Sequence, residues 1–122
     1  AAITPSASSS KVLVLVNLAV STADGSGGGV KLVRGSTDIL IGDAASDRQR
    51  TSQMTTTSGG RGNMPCQIIY LDSPSSTSET TYKIQAFCES GLAFNLNKQT
   101  NDTDNASFGR MASSIVLMEV LA

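Results

Sequence analysis

The final stretch of the chain, residues 112–122, constrains the fold more than any other segment. It reads A-S-S-I-V-L-M-E-V-L-A, apolar almost throughout, rich in β-branched residues and free of glycine and proline. A continuous apolar run of this length, bounded by polar residues, is typical of a strand buried on both faces. Alternation places its side chains in two sets on opposite faces. These sets are Ile115, Leu117, Glu119 and Leu121 on one face, and Val116, Met118 and Val120 on the other.

A second apolar run, residues 11–21, is the natural neighbour of the first. Its sequence, K-V-L-V-L-V-N-L-A-V-S, is rich in the β-branched residues that favour strands. One face carries only Val and Leu, whereas the other carries Asn17 and is expected to be less deeply buried. We expect the two runs to pair as neighbours within one sheet.

The composition favours an all-β fold. Hydrophobic residues make up 39% of the 122 residues but aromatic residues only 4%, so the core must consist of Val, Ile, Leu and Met. Ser, Thr, Gly and Asn favour strands and turns, and no window has the periodicity of a capped helix. The sequence predicts an antiparallel β-sandwich or jelly roll of about eight strands with little or no helix. Residues 1–10 are expected to form an extended arm or linker, and residues 11–122 a single sandwich domain.

The charge pattern excludes two classes of partner. The net charge is −1, and the nine basic residues form no block, so binding of nucleic acid through its phosphates is not expected. No charge-free apolar stretch is long enough to span a membrane, so no membrane insertion is expected. The first residue is Ala rather than Met, which indicates a chain numbered from inside a longer protein or after processing.

Two β-prone segments, residues 64–72 and 80–89, flank a Ser-rich loop and are predicted to form one long hairpin. In that hairpin Cys66 lies opposite Cys88, where a disulfide could form across a non-hydrogen-bonded pair. The alternative is two free cysteines that act as small hydrophobes. A metal site is not expected, because the chain has no histidine and the cysteine spacing is not that of a metal site. No cofactor is expected.

Glu119 is the one carboxylate within a deeply apolar run. A buried carboxylate can be a tuned acid or base, but no second acid shares its setting, and without histidine no Ser-His or Cys-His pair exists. The chain is therefore not expected to be an enzyme. Glu119 is instead predicted to pair with a cation, because an unpaired buried charge is costly. The candidates are Arg34 and Arg110, with Lys31 behind them.

Two polar loops are candidate contact surfaces. Loops carry binding residues more often than strands do. Within residues 42–50 the candidates are Asp43, Asp47, Arg48 and Arg50, and within residues 99–110 they are Asn101, Asp102, Asp104 and Asn105. The second set could offer oxygen ligands to a hard cation, but its spacing lacks the glycine and distal Glu of an EF-hand. A solvated turn is the favoured interpretation.

Five motifs occur in an order that resembles a known family. They are S-S-S-K-V-L-V-L-V (8–16), V-R-G-S-T-D-I-L-I-G-D-A (33–44), Y-L-D-S-P-S-S-T-S-E-T-T-Y-K-I-Q (70–85), D-T-D-N (102–105) and S-I-V-L-M-E-V (114–120). Together they resemble the C-terminal head domain of tailed-phage and marine-virus fibre proteins, over nearly the whole chain. That family often lacks cysteines, and its receptor residues lie in variable loops, so none can be assigned to positions here.

The resemblance implies a non-enzymatic virion module, displayed outward as a homotrimer and attached to a host-surface receptor, glycan or protein, or to a neighbouring virion protein. A physical reason also favours a trimer, because strands that are apolar on both faces carry more hydrophobic surface than one core can bury. One face of the strand at 11–21 or at 113–121 is therefore expected near the trimer axis. The alternatives are a capsid decoration protein and a lectin-like carbohydrate-binding module, for which the aromatic candidates are Tyr70, Tyr82, Phe87, Phe94 and Phe108.

Overall fold

The computed structural model describes residues 1–121 as a sandwich of two antiparallel β-sheets, which confirms the predicted fold class. Nine strands are present in these residues, together with one short 3-10 turn at Glu89–Gly91. The strands are β1 (Ala2–Ile3), β2 (Lys11–Thr22), β3 (Gly27–Arg34), β4 (Thr37–Ile39), β5 (Gln53–Thr56), β6 (Met64–Asp72), β7 (Thr80–Cys88), β8 (Phe94–Leu96) and β9 (Ser114–Val120).

Each sheet is built around one long central strand. In the first sheet β3 is central, with β7 on one side and β4 and β5 on the other, and β1 extends the sheet beyond β7. In the second sheet β2 is central, with β6 on one side and β9 and β8 on the other. The two central strands therefore carry most of the pairing.

The predicted pairing of the two terminal runs is confirmed. β2 and β9 are antiparallel neighbours, from Lys11 opposite Val120 to Asn17 opposite Ser114. The prediction succeeds because both runs are rich in Val, Ile and Leu, whose side chains suit a pleated surface. Pairing them also satisfies the backbone N–H and C=O groups of two apolar segments.

The core lies between the two central strands. The inward face of β2 is fully or almost fully buried, as predicted, and it packs against β3 and the buried ring of Tyr82. Burying a Val, Leu or Ile side chain stabilises the fold by about 1.5–3 kcal/mol. The buried hydrophobic residues of this core are Val12, Val14, Val16, Leu18, Val20, Val30, Leu32, Ile39, Cys66, Ile68 and Tyr82.

The predicted hairpin of β6 and β7 is wrong, because the two strands belong to different sheets. β6 pairs with β2, and β7 pairs with β3. The seven-residue connection at 73–79 is long enough to cross the roughly 10 Å between packed sheets. Pairing with β2 also lets β6 turn Cys66 and Ile68 into the core, where both are buried.

The predicted disulfide is corrected by the same topology. Cys66 lies opposite Leu18 in the second sheet, whereas Cys88 lies opposite Gly28 in the first, and both cysteines are free. The Cys66 thiol donates to Gln53 Oε1 at 3.2 Å, and burial raises the pKa of this thiol. Cys66 therefore acts as a small core residue, which is the alternative that the sequence left open.

Two other connections also pass from one sheet to the other. The glycine-rich segment 22–29 is not a hairpin loop, because β2 and β3 lie in different sheets and Gly27–Gly29 belong to β3 itself. Likewise β8 pairs with β2 rather than with the strand before it. In both cases the chain crosses the sandwich instead of turning back on itself.

The expectation of an extended arm at residues 1–10 is corrected as well. Ala2 and Ile3 pair with Thr81 and Thr80, so β1 covers the edge of β7 that would otherwise be unpaired. Pro5 is fully buried, and Ser10 is buried beside the start of β2. This segment is therefore an integral part of the sandwich.

Candidate subunit interface

The outer surface of the second sheet is apolar across three adjacent strands. In register, Leu13 lies between Leu71 and Met118, and the next row places Leu15 between Ile69 and Val116. We call these residues the apolar face: Leu13, Leu15, Ile69, Leu71, Val116 and Met118. They are the outward members of strands whose alternate residues form the core.

The apolar face is open to solvent. Ile69 is 74% exposed and Met118 52% exposed, and Leu71 and Val116 are also exposed. This corrects the prediction that the final strand is buried on both faces, because only Ile115 and Leu117 of β9 pack against the core. The division of β9 into two sets was right, but within the described residues the outward set remains exposed to solvent.

Polar residues border the apolar face at both ends. The next row along the strands consists of Asn17 flanked by Gln67 and Ser114, and Gln67 Nε2 donates to Asn17 Oδ1 at 3.4 Å. At the opposite end Lys11 lies beside Val120. An apolar centre with a polar border is the usual anatomy of a protein–protein interface.

A buried polar cluster joins the two sheets at one end of the sandwich. Arg34 Nη1 donates to both carboxylate oxygens of Asp72 at 2.9 and 2.8 Å, and the Tyr82 hydroxyl donates to Asp72 Oδ2 at 2.6 Å. Asp72 belongs to β6, whereas Arg34 and Tyr82 belong to the first sheet. Burial and the adjacent Asp72 carboxylate raise the pKa of Tyr82 well above its usual range.

The predicted partners of Glu119 are wrong. Arg34 pairs with Asp72, Arg110 with Asp102, and Lys31 with Asp38. Glu119 lies near the end of β9, where it is partly exposed and has no need of a buried counter-ion.

Glu119 instead holds the segment before β2. Its Oε1 accepts from the Ser6 hydroxyl at 2.7 Å and from the Ser6 backbone N–H at 2.6 Å. These hydrogen bonds from Ser6 lower the pKa of Glu119. The carboxylate therefore connects the segment at 1–10 to the last strand.

The two candidate contact loops belong to different sheets. The four candidates near the first sheet, Asp43, Asp47, Arg48 and Arg50, lie in the exposed connection between β4 and β5. Arg50 Nε donates to Gly42 O at 2.7 Å, so this side chain bonds within its own loop. The structure does not combine the two loops into one site.

The second loop lies between β8 and β9. Asp102 pairs with Arg110 at 2.6 Å and with Lys98 at 3.4 Å. Asn101 N–H donates to Gly60 O at 2.8 Å, and Asn105 Oδ1 accepts from Ser107 N–H at 2.8 Å, while Asp104 is exposed. This loop is therefore joined to the 58–63 turn, which the sequence had not indicated.

Within the described residues no group of three or more acidic or cysteine side chains is arranged to hold a metal ion. The described part of the chain also has no helix of the length and apolarity that a membrane span requires. Comparisons with known protein families, with curated proteins and with solved structures found no match.

Proposed function

We propose that this chain is the head of a virion fibre, a non-enzymatic homotrimer that assembles through the apolar face and attaches the virion to a host surface. The observation that carries the proposal is the apolar face. The ordered motifs that resemble fibre heads give the virion context.

Self-association is the favoured use of the apolar face. Monomeric proteins rarely leave a contiguous apolar patch of several side chains in water, and such patches usually mark interfaces. The face has no charged residue among its six members, with Lys11 at the border, so no oppositely charged partner is needed. A net charge of −1 per chain also opposes the approach of further copies only weakly.

The motif residues act as scaffold, which supports a structural rather than a catalytic role. Arg34, Asp72 and Tyr82 come from the V-R-G, L-D-S-P and T-Y-K motifs, and they meet in one cluster that joins the two sheets. Glu119, the one carboxylate considered for catalysis, accepts its hydrogen bonds from Ser6. Three of the motifs that carry the resemblance therefore contribute residues that hold the sandwich together.

Light scattering after gel filtration tests the assembly. The expected mass is three times the chain mass of 12.6 kDa at micromolar concentration. A monomer under those conditions contradicts the proposal, and a dimer contradicts the trimeric part of it.

Immunogold labelling of intact virions tests the location. Antibody against this chain is expected to label the tips of fibres. Labelling of the capsid shell would contradict the fibre-head assignment and would instead support a capsid decoration protein that assembles through the same apolar face. Purified protein is also expected to block adsorption of the virus, and failure to compete would contradict the attachment role.

A further inference from the structure

Two loops at one end of the sandwich form a single framework around one aromatic ring. The Gln99 side-chain amide joins them, since its Nε2 donates to Arg61 O at 2.6 Å and its Oε1 accepts from Gly109 N–H at 2.9 Å. The side-chain amide of Asn101 lies so close to Gly60 that a Cβ at this position would overlap it. The loops at 58–63 and 97–111 are therefore held together by both backbone and side-chain contacts.

Phe108 forms a wall between two clefts in this framework. One cleft contains Arg61, whose guanidinium carbon lies 5.4 Å from the centre of the ring. The other cleft, of about 310 Å³, lies within the segment 102–110, is lined by residues 102–105 and 108–110, and does not include Arg61. Phe108 thus contributes apolar surface to a cleft whose other side chains are polar. Tyr82, by contrast, is buried in the core, and Tyr70 and Phe94 pack against it.

We propose that the cleft at 102–110 binds a neutral saccharide unit. The ring of Phe108 offers an apolar surface to the C–H face of a sugar, and the carboxylate of Asp104 and the amide of Asn105 offer groups that can bond to its hydroxyls. The polar side chains that line most of the cleft suit a ligand with many hydroxyl groups, and the cleft volume lies at the small end of the range for small-ligand sites, about 300–1,000 Å³. The cleft therefore suits one or two sugar rings.

The charges in the cleft select against acidic sugars. Asp102 and Asp104 supply two carboxylates against the guanidinium of Arg110 and the ammonium of Lys98, and both cations are already paired with Asp102. Because both cations are engaged by Asp102, neither offers a free charge to the anionic group of a sialic acid or a sulfated sugar. This inference rests on the proposed attachment role, since it assigns the receptor to the glycans of the host surface.

Nitrogen–proton correlation NMR of the whole protein with monosaccharides tests the inference. The probes are the methyl glycosides of glucose, galactose, mannose and N-acetylglucosamine, with N-acetylneuraminic acid as the acidic comparison. At least one neutral glycoside is expected to bind with a millimolar Kd and to shift the amides of Asn105, Phe108 and Gly109. The acidic sugar is expected to shift them at least tenfold less at the same concentration.

Two variants assign the effect to the ring. Phe108→Ala is expected to weaken binding at least tenfold, whereas Phe108→Tyr is expected to retain it. Hydrogen-exchange protection of the Asn101 amide, which donates to Gly60 O, is the check that the framework stays intact in Phe108→Ala, because loss of the ring alone shifts nearby amide signals. Phe87→Leu, on the outer surface of the first sheet, is the matched control and should bind like the unaltered protein.

The inference is overturned if no neutral glycoside shifts these amides, if the shifts lie elsewhere, or if Phe108→Ala binds normally. A monosaccharide occupies one subunit at a time, so this titration does not depend on assembly. Failure here with a trimer by light scattering would remove the saccharide site alone, whereas a monomer with intact binding would remove the proposed trimer alone.

Discussion

The two outer surfaces of the sandwich differ although the inner surfaces are alike. The first sheet presents Lys31, Lys83 and Gln85 to solvent, and Phe87 packs over Gly29 on the same side. The second sheet presents the apolar face. Both sheets contribute to one core, so the inner surfaces explain why the chain folds. The outer surfaces differ in polarity, and the proposed assembly uses the apolar one.

This difference follows from how apolar and polar residues alternate along the strands. β7 alternates apolar residues with polar ones, so one side of it suits water. β2, β6 and β9 carry apolar residues on both sides over their middle portions. A strand of the second kind within a single sandwich requires a second covering layer.

A charge placed on each outer surface should have opposite consequences. Ile69→Asp places a carboxylate in the most exposed position of the apolar face, and burying it between copies would leave it unpaired. We expect assembly to weaken at least about a hundredfold, or about 2.7 kcal/mol. Gln85→Asp on the first sheet should leave the mass unchanged. Sedimentation velocity of both variants measures this, and an assembled Ile69→Asp protein would contradict the assignment.

The arrangement of the two outer surfaces depends on the packing of one sheet against the other, and Asp72 links the two sheets. Asp72→Ala leaves Arg34 and the buried Tyr82 hydroxyl without their acceptor. Because Arg34 is 30% exposed, we expect a loss near the lower end of the range for broken buried pairs, about 3 kcal/mol. Asp38→Ala breaks the more exposed pair with Lys31 and should cost less than about 1 kcal/mol. Urea unfolding at one protein concentration compares them, and equal midpoints would refute the role of Asp72.

On the outer surface of the first sheet, the side chains of Phe87 and Met54 pack closely over Gly29. A Cβ there would lie 2.6 Å from Phe87 Cε1 and 2.9 Å from Met54 Sδ, so the ring must move. We expect Gly29→Ala to destabilise the fold by about 1–3 kcal/mol without changing the mass. Gly42→Ala is the control, because its nearest neighbour lies 3.8 Å away, and its change should stay within about 0.5 kcal/mol. A change of assembly in Gly29→Ala would contradict the separation of the two surfaces.

The smallest effect concerns pH at the edge of the second sheet. The folded-state pKa of Glu119 is lowered by Ser6, so its contribution is present above the ordinary value of 4.5 and is lost as pH falls through the folded-state pKa. Glu119→Gln should therefore reduce the loss of stability below pH 4.5. Thermal melts at several pH values from neutral to strongly acidic measure the slope. Glu79→Gln, in an exposed loop, should leave it unchanged, and an unaltered slope in Glu119→Gln would remove the proposed link.

Part of this architecture could be predicted from the sequence because the signals are local. The alternation within β2 and β9 identifies their inward residues, and their shared composition makes them partners. The β3–β4 hairpin has an equally local origin, because Gly35 between the strands readily adopts the positive φ of 58° that the turn requires.

The remaining pairings could not be predicted because alternation does not say which sheet a strand joins. Residues 64–72 and 80–89 flank the loop that contains Thr77, and this arrangement suits a hairpin and a crossover equally well. Because β6 was predicted to pair with β7, its contribution to the apolar face was not predicted. Similarly, Arg34 and Asp72 lie 38 residues apart in the sequence, and only the packing of the two sheets brings them together.

The most direct test of the apolar face compares two methionines by oxidative footprinting. Met118 on the apolar face is 52% exposed and Met54 on the outer surface of the first sheet is 53% exposed, so in an isolated chain both should oxidise at similar rates. In the assembled protein we expect Met118 to oxidise at least tenfold more slowly than Met54, with the difference disappearing on dilution. Equal oxidation of Met118 and Met54 at high protein concentration would contradict the claim that a second copy covers the apolar face.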